Sequence, residues 1–151
     1  MTPVDPDYER RTRDSFARQP AMATIGIEIG EIGPGRVVLA MAHRADLTQQ
    51  HGFQHAGIVA TGLDSACGYA AFTLMPADAG VLTIEFKVLN LLAPARGPQL
   101  TFEGTVTKAG RTISVVDGRA WESAGDGKEG KLVATMTATV MTITGRADVR
   151  H

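Results

Sequence analysis

The sequence contains one cysteine, no long apolar run and no concentrated run of positive charge. With Cys67 alone, neither a disulfide within the chain nor a zinc site built from several cysteines can form. No apolar stretch reaches membrane-spanning length, and the charged N-terminal stretch is unlike a signal peptide. The formal net charge is −1 and the longest basic run is Arg10-Arg11, which argues against nucleic acid or a membrane as a partner. We therefore expect a cytoplasmic, soluble protein.

The rest of the composition is that of a folded domain. Hydrophobic residues make up 44% of the 151 residues and charged residues 21%, which is enough apolar side chain for a sizeable core. Near the start, Asp5 or Asp7 can cap a short amphipathic helix that Pro20 ends. No internal repeat or low-complexity segment divides the chain. The expected organisation is one domain over 1–151, with an N-terminal helix region at 1–20 and a loose tail at 145–151.

Alternating apolar residues predict strands on both sides of one long apolar segment. Before it, Ile25, Ile27 and Ile29 alternate with polar or small residues, and a Gly-Pro-Gly turn at 33–35 leads into "RVVLAMA", which predicts a hairpin. From Val81 onward, four further alternating stretches are separated by turn signals such as "KAGR" and "AGDGKEGK". The segment between these two regions is the only candidate for a long helix.

The predicted long helix, from Gly57 to about Leu74, is unusually rich in small residues. Each interior glycine costs roughly 1 kcal/mol relative to alanine, so Gly57, Gly62 and Gly68 need a structural reason. Close approach of a sheet backbone supplies one. We therefore predict an α+β fold in which a curved antiparallel sheet of about six strands wraps around one central helix. The open edges of such a sheet favour pairing with a second copy.

A single acid, Asp64, interrupts the apolar helix segment. An ionised carboxylate in an apolar environment is costly unless something compensates it. Helical spacing places it on one face with Gly57, Thr61 and Gly68, which leaves room for a ligand beside the carboxylate. A carboxylate in such a place can serve as general base or nucleophile. The alternative is a structural Asp64 that caps a loop or pairs with a buried arginine.

The start of the predicted helix offers the complementary chemistry. Backbone N–H groups at a helix N-terminus are unpaired and carry a partial positive charge. At Ala56 and Gly57 they could stabilise a carbonyl oxygen that gains negative charge. Together with a carboxylate about two turns further on, they are the components of an acyl-transfer site.

Two histidines, His51 and His55, flank Phe53 in the segment before the helix. Their four-residue spacing allows a metal site with Asp64 as third ligand. Both precede the helix, however, so the spacing need not place them on one face. The favoured interpretation has His55 ordering the turn into the helix and His51 lining the entrance, with no metal.

One spaced motif carries a resemblance to a known family. The motif consists of Asn or Gln, two residues, Gly, two residues, His-Gly-Gly, then six residues and Asp. In this sequence it reads Gln49, Gly52, His55-Ala56-Gly57 and Asp64. With "LTIEFKVLNLLAPARG", "TKAGRT" and "KLVATMTATVM", the chain resembles the PaaI-like acyl-CoA thioesterases of the hotdog-fold superfamily from about residue 10 to 143.

The resemblance implies a role for each motif residue. The helix acid, here Asp64, activates water or attacks the thioester carbonyl, and the N–H of Ala56 polarises that carbonyl. The side chain of Gln49 helps to place water or substrate, and the hydroxyl of Thr83 assists across the site. Sites of this family form between two protomers, so the resemblance implies a homodimer or homotetramer in which Asp64 and Thr83 face Gln49 and Ala56 of the partner chain. Coenzyme A is part of the substrate, and no cofactor is implied.

Two departures from the family pattern bear on the site. Ala56 replaces the first glycine of the His-Gly-Gly motif, and its Cβ disfavours a positive φ and narrows the pocket. The segment "KVLNLLAPARG" carries one extra residue near Leu89, which a β-bulge would absorb. For the phosphates of coenzyme A, the nearest cations in or beside turns are Arg96, Lys108 and Arg111. They are equally consistent with ordinary solvated charges.

The predicted function is hydrolysis of an aryl- or medium-chain acyl-CoA, with Asp64 as the catalytic carboxylate. One alternative is a hotdog enoyl-CoA hydratase, which would need an Asp-His dyad that this chain lacks unless His55 serves. The other is a non-catalytic acyl-CoA-binding protein, which would need the pocket but not the carboxylate.

Overall fold

The computed structural model describes residues 1–123 and 130–149. Over these residues the chain forms three α-helices, a short 3₁₀ helix (Ala45–Leu47) and one six-stranded antiparallel sheet. The expected antiparallel sheet around a central helix is confirmed. The elements in chain order are α1 (Tyr8–Ala17), α2 (Pro20–Ile25), β1 (Ile27–Gly33), β2 (Arg36–Ala42), α3 (Ala56–Phe72), β3 (Gly80–Leu91), β4 (Gln99–Lys108), β5 (Ile113–Ser123) and β6 (Lys131–Ile143).

The strand order in the sheet is β1-β2-β4-β5-β6-β3. The β1–β2 hairpin turns through Gly35, whose φ of 76° is the left-handed conformation that glycine adopts at low cost. The first strand after the central helix, β3, returns to the outer edge of the sheet beside β6. The turn predicted at "AGDGKEGK" lies almost wholly outside the described residues. Residues 145–149 follow β6 outside any helix or strand.

The N-terminal region contains two helices rather than the one expected. Pro20 does not simply end the first helix. It begins α2, because the first position of a helix needs no backbone N–H and fits the φ of proline. Ile25, expected at the start of a strand, is the last residue of α2. Gly26, with a φ of 83°, then turns the chain into β1.

One arginine ties α1 to the end of the central helix. The Arg11 side chain pairs with the Asp5 carboxylate at 2.7 Å and donates to the carbonyl oxygen of Met75 at 2.8 Å. Its guanidinium also stacks on the ring of Phe72, 4.1 Å from the centroid. Asp5 therefore does not cap α1, and Asp7 at the N-cap position makes no side-chain cap bond. The N-terminal helices are in this way fixed against α3.

The central helix packs one face into the concave side of the sheet. Leu63, Ala66 and Cys67 are fully buried there. The closest approaches involve glycines of both partners: a Cβ on Gly62 would lie 2.6 Å from the Phe102 ring, and one on Gly104 would lie 2.3 Å from the Ala66 carbonyl oxygen. Of the three helix glycines that needed a reason, Gly62 is therefore the one that packing explains.

Strand β3 forms an exposed edge with two irregularities. The β3–β6 register shifts between Val88 and Asn90, which confirms the predicted bulge at the extra residue, and also between Thr83 and Glu85. Apolar side chains remain exposed along this edge, namely Leu82, Ile84, Phe86, Leu91 and Leu92. No helix in the described part of the chain is both long enough and apolar enough to cross a membrane.

Candidate active site

The carboxylate of Asp64 leaves α3 toward the start of the edge strand β3. Leu63 and Cys67, by contrast, are fully buried against the middle of the sheet. The Thr83 hydroxyl donates a hydrogen bond of 2.8 Å to its Oδ1 atom. The two residues that were predicted to act together on one side of the site are thus in contact.

Half-burial gives Asp64 an unusual affinity for protons. Loss of water from around the carboxylate raises its pKa above the ordinary value, and the hydrogen bond from Thr83 opposes this shift. No arginine or lysine forms an ion pair with Asp64 among residues 1–123 and 130–149. The structural role considered above, in which Asp64 pairs with a buried arginine, therefore finds no support. A carboxylate with a raised pKa and an open side is suited to accept a proton from water.

A cavity of about 320 Å³ opens beside Asp64 and Thr83. Gly68, one turn along α3, is buried, yet a Cβ built there would meet nothing within 4 Å. The cavity, rather than packing, therefore accounts for this glycine. The remaining wall was not predicted from the sequence and consists of Ser15, Arg18 and Gln19 from the N-terminal helices, Ser65 and Tyr69 from α3, and Val81 from β3.

His55 caps the N-terminus of α3. Its Nδ1 atom accepts a hydrogen bond of 2.9 Å from the N–H of Gly57, so the expected ordering role at this turn is observed. The Gly57 N–H is consequently occupied and is not free to bind a carbonyl oxygen. The Ala56 N–H has no acceptor in the described part of the chain, and it remains as the donor at this helix end.

The alanine at position 56 introduces no backbone strain. Among the described residues only glycines have a positive φ, so the Cβ of Ala56 sits on an ordinary helical backbone. The replacement of the first motif glycine by Ala56 therefore affects the site only through the space that its methyl group occupies in the pocket. Thr61, on the same helix, donates its hydroxyl proton to the Gly57 carbonyl oxygen at 2.8 Å.

Gln49 lies in the loop that precedes α3. Its Oε1 atom accepts a hydrogen bond from the His51 N–H, which fixes the side chain beside the helix start. Arg96 holds the same loop, because its guanidinium stacks on Phe53 at 4.1 Å and donates to the His51 carbonyl oxygen at 2.8 Å. A second pocket, of about 250 Å³, lies here and is lined mainly by apolar residues, with Gln49 and Ala56 in its wall.

The single chain does not bring the two halves of the predicted site together. Ala56 and Asp64 are eight residues apart on α3, which places them about 12 Å apart along the helix axis at about 1.5 Å per residue. A thioester carbonyl cannot contact both at that separation. Asp64 with Thr83 forms one half, and Ala56 with Gln49 forms the other.

The three cations proposed for phosphate binding are also divided. Lys108 ends β4 and Arg111 lies in the following turn, and strand register places Lys108 in one row with Glu85 of β3, three strand spacings or about 14 Å away. They are therefore at the sheet end where Thr83 lies. Arg96 is at the opposite end, beside the loop that contains Gln49 and His51.

The other candidate chemistries receive no geometric support. In the described part of the chain, no three side chains of the types that bind metals lie close enough to share an ion. Burial and the neighbouring Asp64 carboxylate raise the pKa of the Cys67 thiol to about 12, so this cysteine carries no thiolate at neutral pH.

Comparisons with known proteins identify the family and the fold. A family model described as the thioesterase superfamily matches residues 51–129. A crystal structure of a thioesterase family protein from Silicibacter pomeroyi is 56% identical, with a TM-score of 0.87 over 91% of this chain and 99% of that chain. The E. coli PaaI protein from the phenylacetic acid degradation operon has a TM-score of 0.81 over 92% and 95% of the two chains. At 19% identity, it shares the fold alone.

Among curated relatives, a presumed esterase from Saccharolobus solfataricus is 31% identical over 93 residues. The match covers 62% of this chain and 65% of that relative, which is just under two thirds of its length.

Proposed function

This chain belongs to the thioesterase superfamily and has its hotdog fold, and we propose that it hydrolyses the thioester of an aryl- or medium-chain acyl-CoA. The observation that carries the proposal is the Asp64–Thr83 pair at the wall of a cavity. Asp64 acts as general base on a water molecule or attacks the carbonyl directly, and Thr83 orients the carboxylate. Coenzyme A enters as part of the substrate, and no metal or cofactor is required.

The helix N-terminus supplies the second element of the mechanism. As the carbonyl carbon is attacked, negative charge develops on its oxygen, and the Ala56 N–H donates to it with the positive end of the helix dipole behind it. His55 supports this arrangement because its side chain accepts the hydrogen bond of the Gly57 N–H. The Ala56 N–H is then the donor at this helix end that is available to the carbonyl oxygen. Gln49 positions water or the thioester from the adjoining loop.

A second copy of the chain completes the site in this proposal. The separation of about 12 Å between the two halves on α3 means that Asp64 of one protomer must meet Ala56 of the other. The β3 edge supports such an association: Phe86 shares the helix-facing side of the sheet with Thr83, since both pair with buried residues of β6, yet it is 43% exposed. An open edge with apolar side chains favours a partner that covers it.

The coenzyme A moiety extends from the cavity toward solvent. Lys108 and Arg111 lie at the Asp64–Thr83 end of the sheet and are proposed to meet its phosphates, while Arg96 holds the loop at the other end. His51 does not line the second pocket, but its backbone N–H holds the side chain of Gln49, which does. The cytoplasmic location expected from the sequence stays a prediction.

The hydratase alternative is disfavoured by the position of His55. Its Nδ1 atom is engaged by Gly57, and it lies nine residues before Asp64, about 13 Å along the axis. Within one chain these two side chains therefore cannot form an acid–base dyad, and across two protomers the dyad would depend on the Nε2 atom of His55 alone, because Nδ1 is engaged. No observation specifically favours a non-catalytic acyl-CoA-binding protein.

The test is release of free coenzyme A from a panel of acyl-CoA thioesters by the wild type and by Asp64→Asn. Loss of a general base lowers kcat by about 10²- to 10⁴-fold. Asp78→Asn, a change at an exposed loop position, is the matched control and keeps wild-type activity. If Asp64→Asn folds and hydrolyses the best substrate as fast as wild type does, the catalytic role is wrong. If the wild type binds but never hydrolyses, the binding-protein alternative takes over.

A further inference from the structure

We propose that the acyl group hydrolysed by this protein is small and ends in a carboxylate, which Arg18 binds at the far end of the cavity beside Asp64. This inference rests on the proposed thioesterase function. It assigns the N-terminal helices, which carry none of the motif residues, to substrate selection.

The size of the cavity decides which end of the thioester enters it. At about 320 Å³ it is at the lower end of the range of small-molecule sites. Coenzyme A, with its nucleotide and its pantetheine arm, is too large for this space, so the cavity accepts the acyl group. Its wall includes three residues from α1 and the α1–α2 turn, namely Ser15, Arg18 and Gln19. A long unbranched acyl chain would collide with this wall.

The path from the reacting carbon runs along α3. Gly68 follows Asp64 by one helical turn, and the open space where its Cβ would be continues the cavity in that direction. Tyr69 comes next and belongs to the same wall. An acyl group attached to a carbonyl beside Asp64 therefore points toward Tyr69 and the N-terminal helices.

The cavity ends in polar rather than apolar groups. The Tyr69 hydroxyl accepts a hydrogen bond of 2.7 Å from the Gln19 amide and lies 3.0 Å from the Ser15 hydroxyl oxygen. Edge-to-face packing against Phe16 and Phe72 fixes the Tyr69 ring, so these groups hold their positions before a ligand binds. A purely apolar acyl terminus would gain little from such a wall, whereas a polar terminus would lie among polar groups.

Arg18 is the one cation in this wall. It is the C-cap residue of α1, it is exposed, and it forms no ion pair with any described residue. The other arginines of α1 are all engaged: Arg10 with Asp7, Arg11 with Asp5 and Arg13 with Glu9. A guanidinium binds a carboxylate through two parallel hydrogen bonds, so a carboxylate on the acyl group is the natural counter-ion.

The experiment compares three acyl-CoA substrates of equal chain length: hexanoyl-CoA, 6-hydroxyhexanoyl-CoA and adipoyl-CoA. The wild type is expected to have the highest kcat/KM for adipoyl-CoA. Arg18→Gln should lower that value about 10- to 100-fold, as expected for lost hydrogen bonds to a charged group, and should leave hexanoyl-CoA within about twofold. Arg10→Gln, on the outer side of α1, is the matched control and should preserve the preference.

Two results would overturn the inference while leaving the thioesterase proposal intact. One is equal or better turnover of hexanoyl-CoA or 6-hydroxyhexanoyl-CoA by the wild type. The other is an equal loss on all three substrates in Arg18→Gln, which would mean that Arg18 binds coenzyme A. The same acyl groups on N-acetylcysteamine, which has no phosphates, separate these cases, because the Arg18-dependent preference must persist there.

Failure of the function itself is recognised separately. If no thioester is hydrolysed, the thioesterase proposal fails, and calorimetric titration of the wild type and Arg18→Gln with adipoyl-CoA and hexanoyl-CoA then decides the inference. Tighter binding of adipoyl-CoA that depends on Arg18 supports it. Equal binding of the two ligands, or no binding of either, overturns it.

Discussion

At the scale of single residues, the site contains a carboxylate whose burial costs stability and a hydroxyl group that supports it. The Asp64 carboxylate is half-buried and has one hydroxyl partner, Thr83, in place of a cation. Burial favours the neutral form of the acid, and this makes Asp64 a stronger base once it is ionised. Behind it, the Cys67 thiol stays protonated, so on this part of the helix the carboxylate is the group that we propose reacts. The burial that is proposed to serve catalysis should therefore reduce stability.

Replacement of Asp64 by asparagine should stabilise the folded protein at neutral pH and not at acidic pH. Because the folded-state pKa of Asp64 lies above its unfolded value, its contribution to stability is fully present below about pH 3.8 and is lost as the pH rises through the folded pKa. The asparagine side chain does not titrate, so the variant avoids that loss. We expect Asp64→Asn to raise Tm by a few degrees at pH 7 to 8.

The measurement is thermal unfolding of wild type and Asp64→Asn between about pH 4 and pH 8 at one protein concentration. The difference in Tm should shrink steadily as the pH falls, and Asp78→Asn should show no such trend. A Tm difference that is independent of pH, or a less stable variant at neutral pH, would contradict the assignment of a raised pKa to Asp64.

At the scale of elements, α3 has a packed side and a ligand side, and glycine occurs on both for opposite reasons. On the packed side, Gly62 and Gly104 let the helix and the sheet approach each other more closely than any Cβ would allow. On the ligand side, Gly68 has nothing opposite it. The first two are required for folding, whereas Gly68 keeps the cavity open at a cost in helix propensity.

Two glycine-to-alanine variants should therefore change stability in opposite directions. Gly104→Ala places a methyl group 2.3 Å from the Ala66 carbonyl oxygen, which is backbone and cannot move aside, and should cost about 3 kcal/mol, the upper end for overpacked cores. Gly68→Ala should stabilise the protein by about 0.5–1 kcal/mol and lower turnover, because the methyl group fills the acyl cavity. Urea unfolding and kcat/KM of each variant check both expectations. If Gly68→Ala destabilised the protein instead, the space beside Gly68 would have to be filled by a second copy of the chain.

The helices and strands also show which features of the structure can be predicted from the sequence. Strand alternation and the apolar segment before "PADAG" are local patterns, so they predict β4, β6 and α3 to within a few residues. The motif likewise locates Asp64, Ala56 and Gln49. The wall that contains Ser15 and Gln19 was missed, because it exists only through contacts with Tyr69 across about fifty residues of chain. The prediction that Pro20 only ends a helix was wrong, because a proline that cannot continue one helix fits the first position of the next.

At the scale of the whole molecule, the separation of the two proposed half-sites is the property on which the two-protomer mechanism rests. Asp64 and Thr83 lie at one end of α3, and Ala56 and Gln49 at the other, so a rigid helix keeps them apart within one chain. Two copies related by a two-fold axis would each supply one half to each of two sites. The exposed apolar edge at β3 offers the surface for that association. Whether a site is composite can be decided without a structure of the dimer.

Mixing two inactive variants should restore activity if each site is built from both protomers. Asp64→Asn and Gln49→Leu damage different halves, so each homodimer contains two defective sites. In a heterodimer, one site collects both substitutions, and the other combines the intact Asp64 of one protomer with the intact Gln49 of its partner. Random reassociation of equal amounts makes half of the dimers heterodimers with one intact site, and roughly a quarter of wild-type kcat should return.

The assay is thiol release after the two variants are unfolded and refolded together, with each variant refolded alone as the control. If both halves of the site belonged to one chain, the mixture would be no more active than the sum of the separate variants, and the two-protomer mechanism would have to be abandoned even if Asp64 remained catalytic.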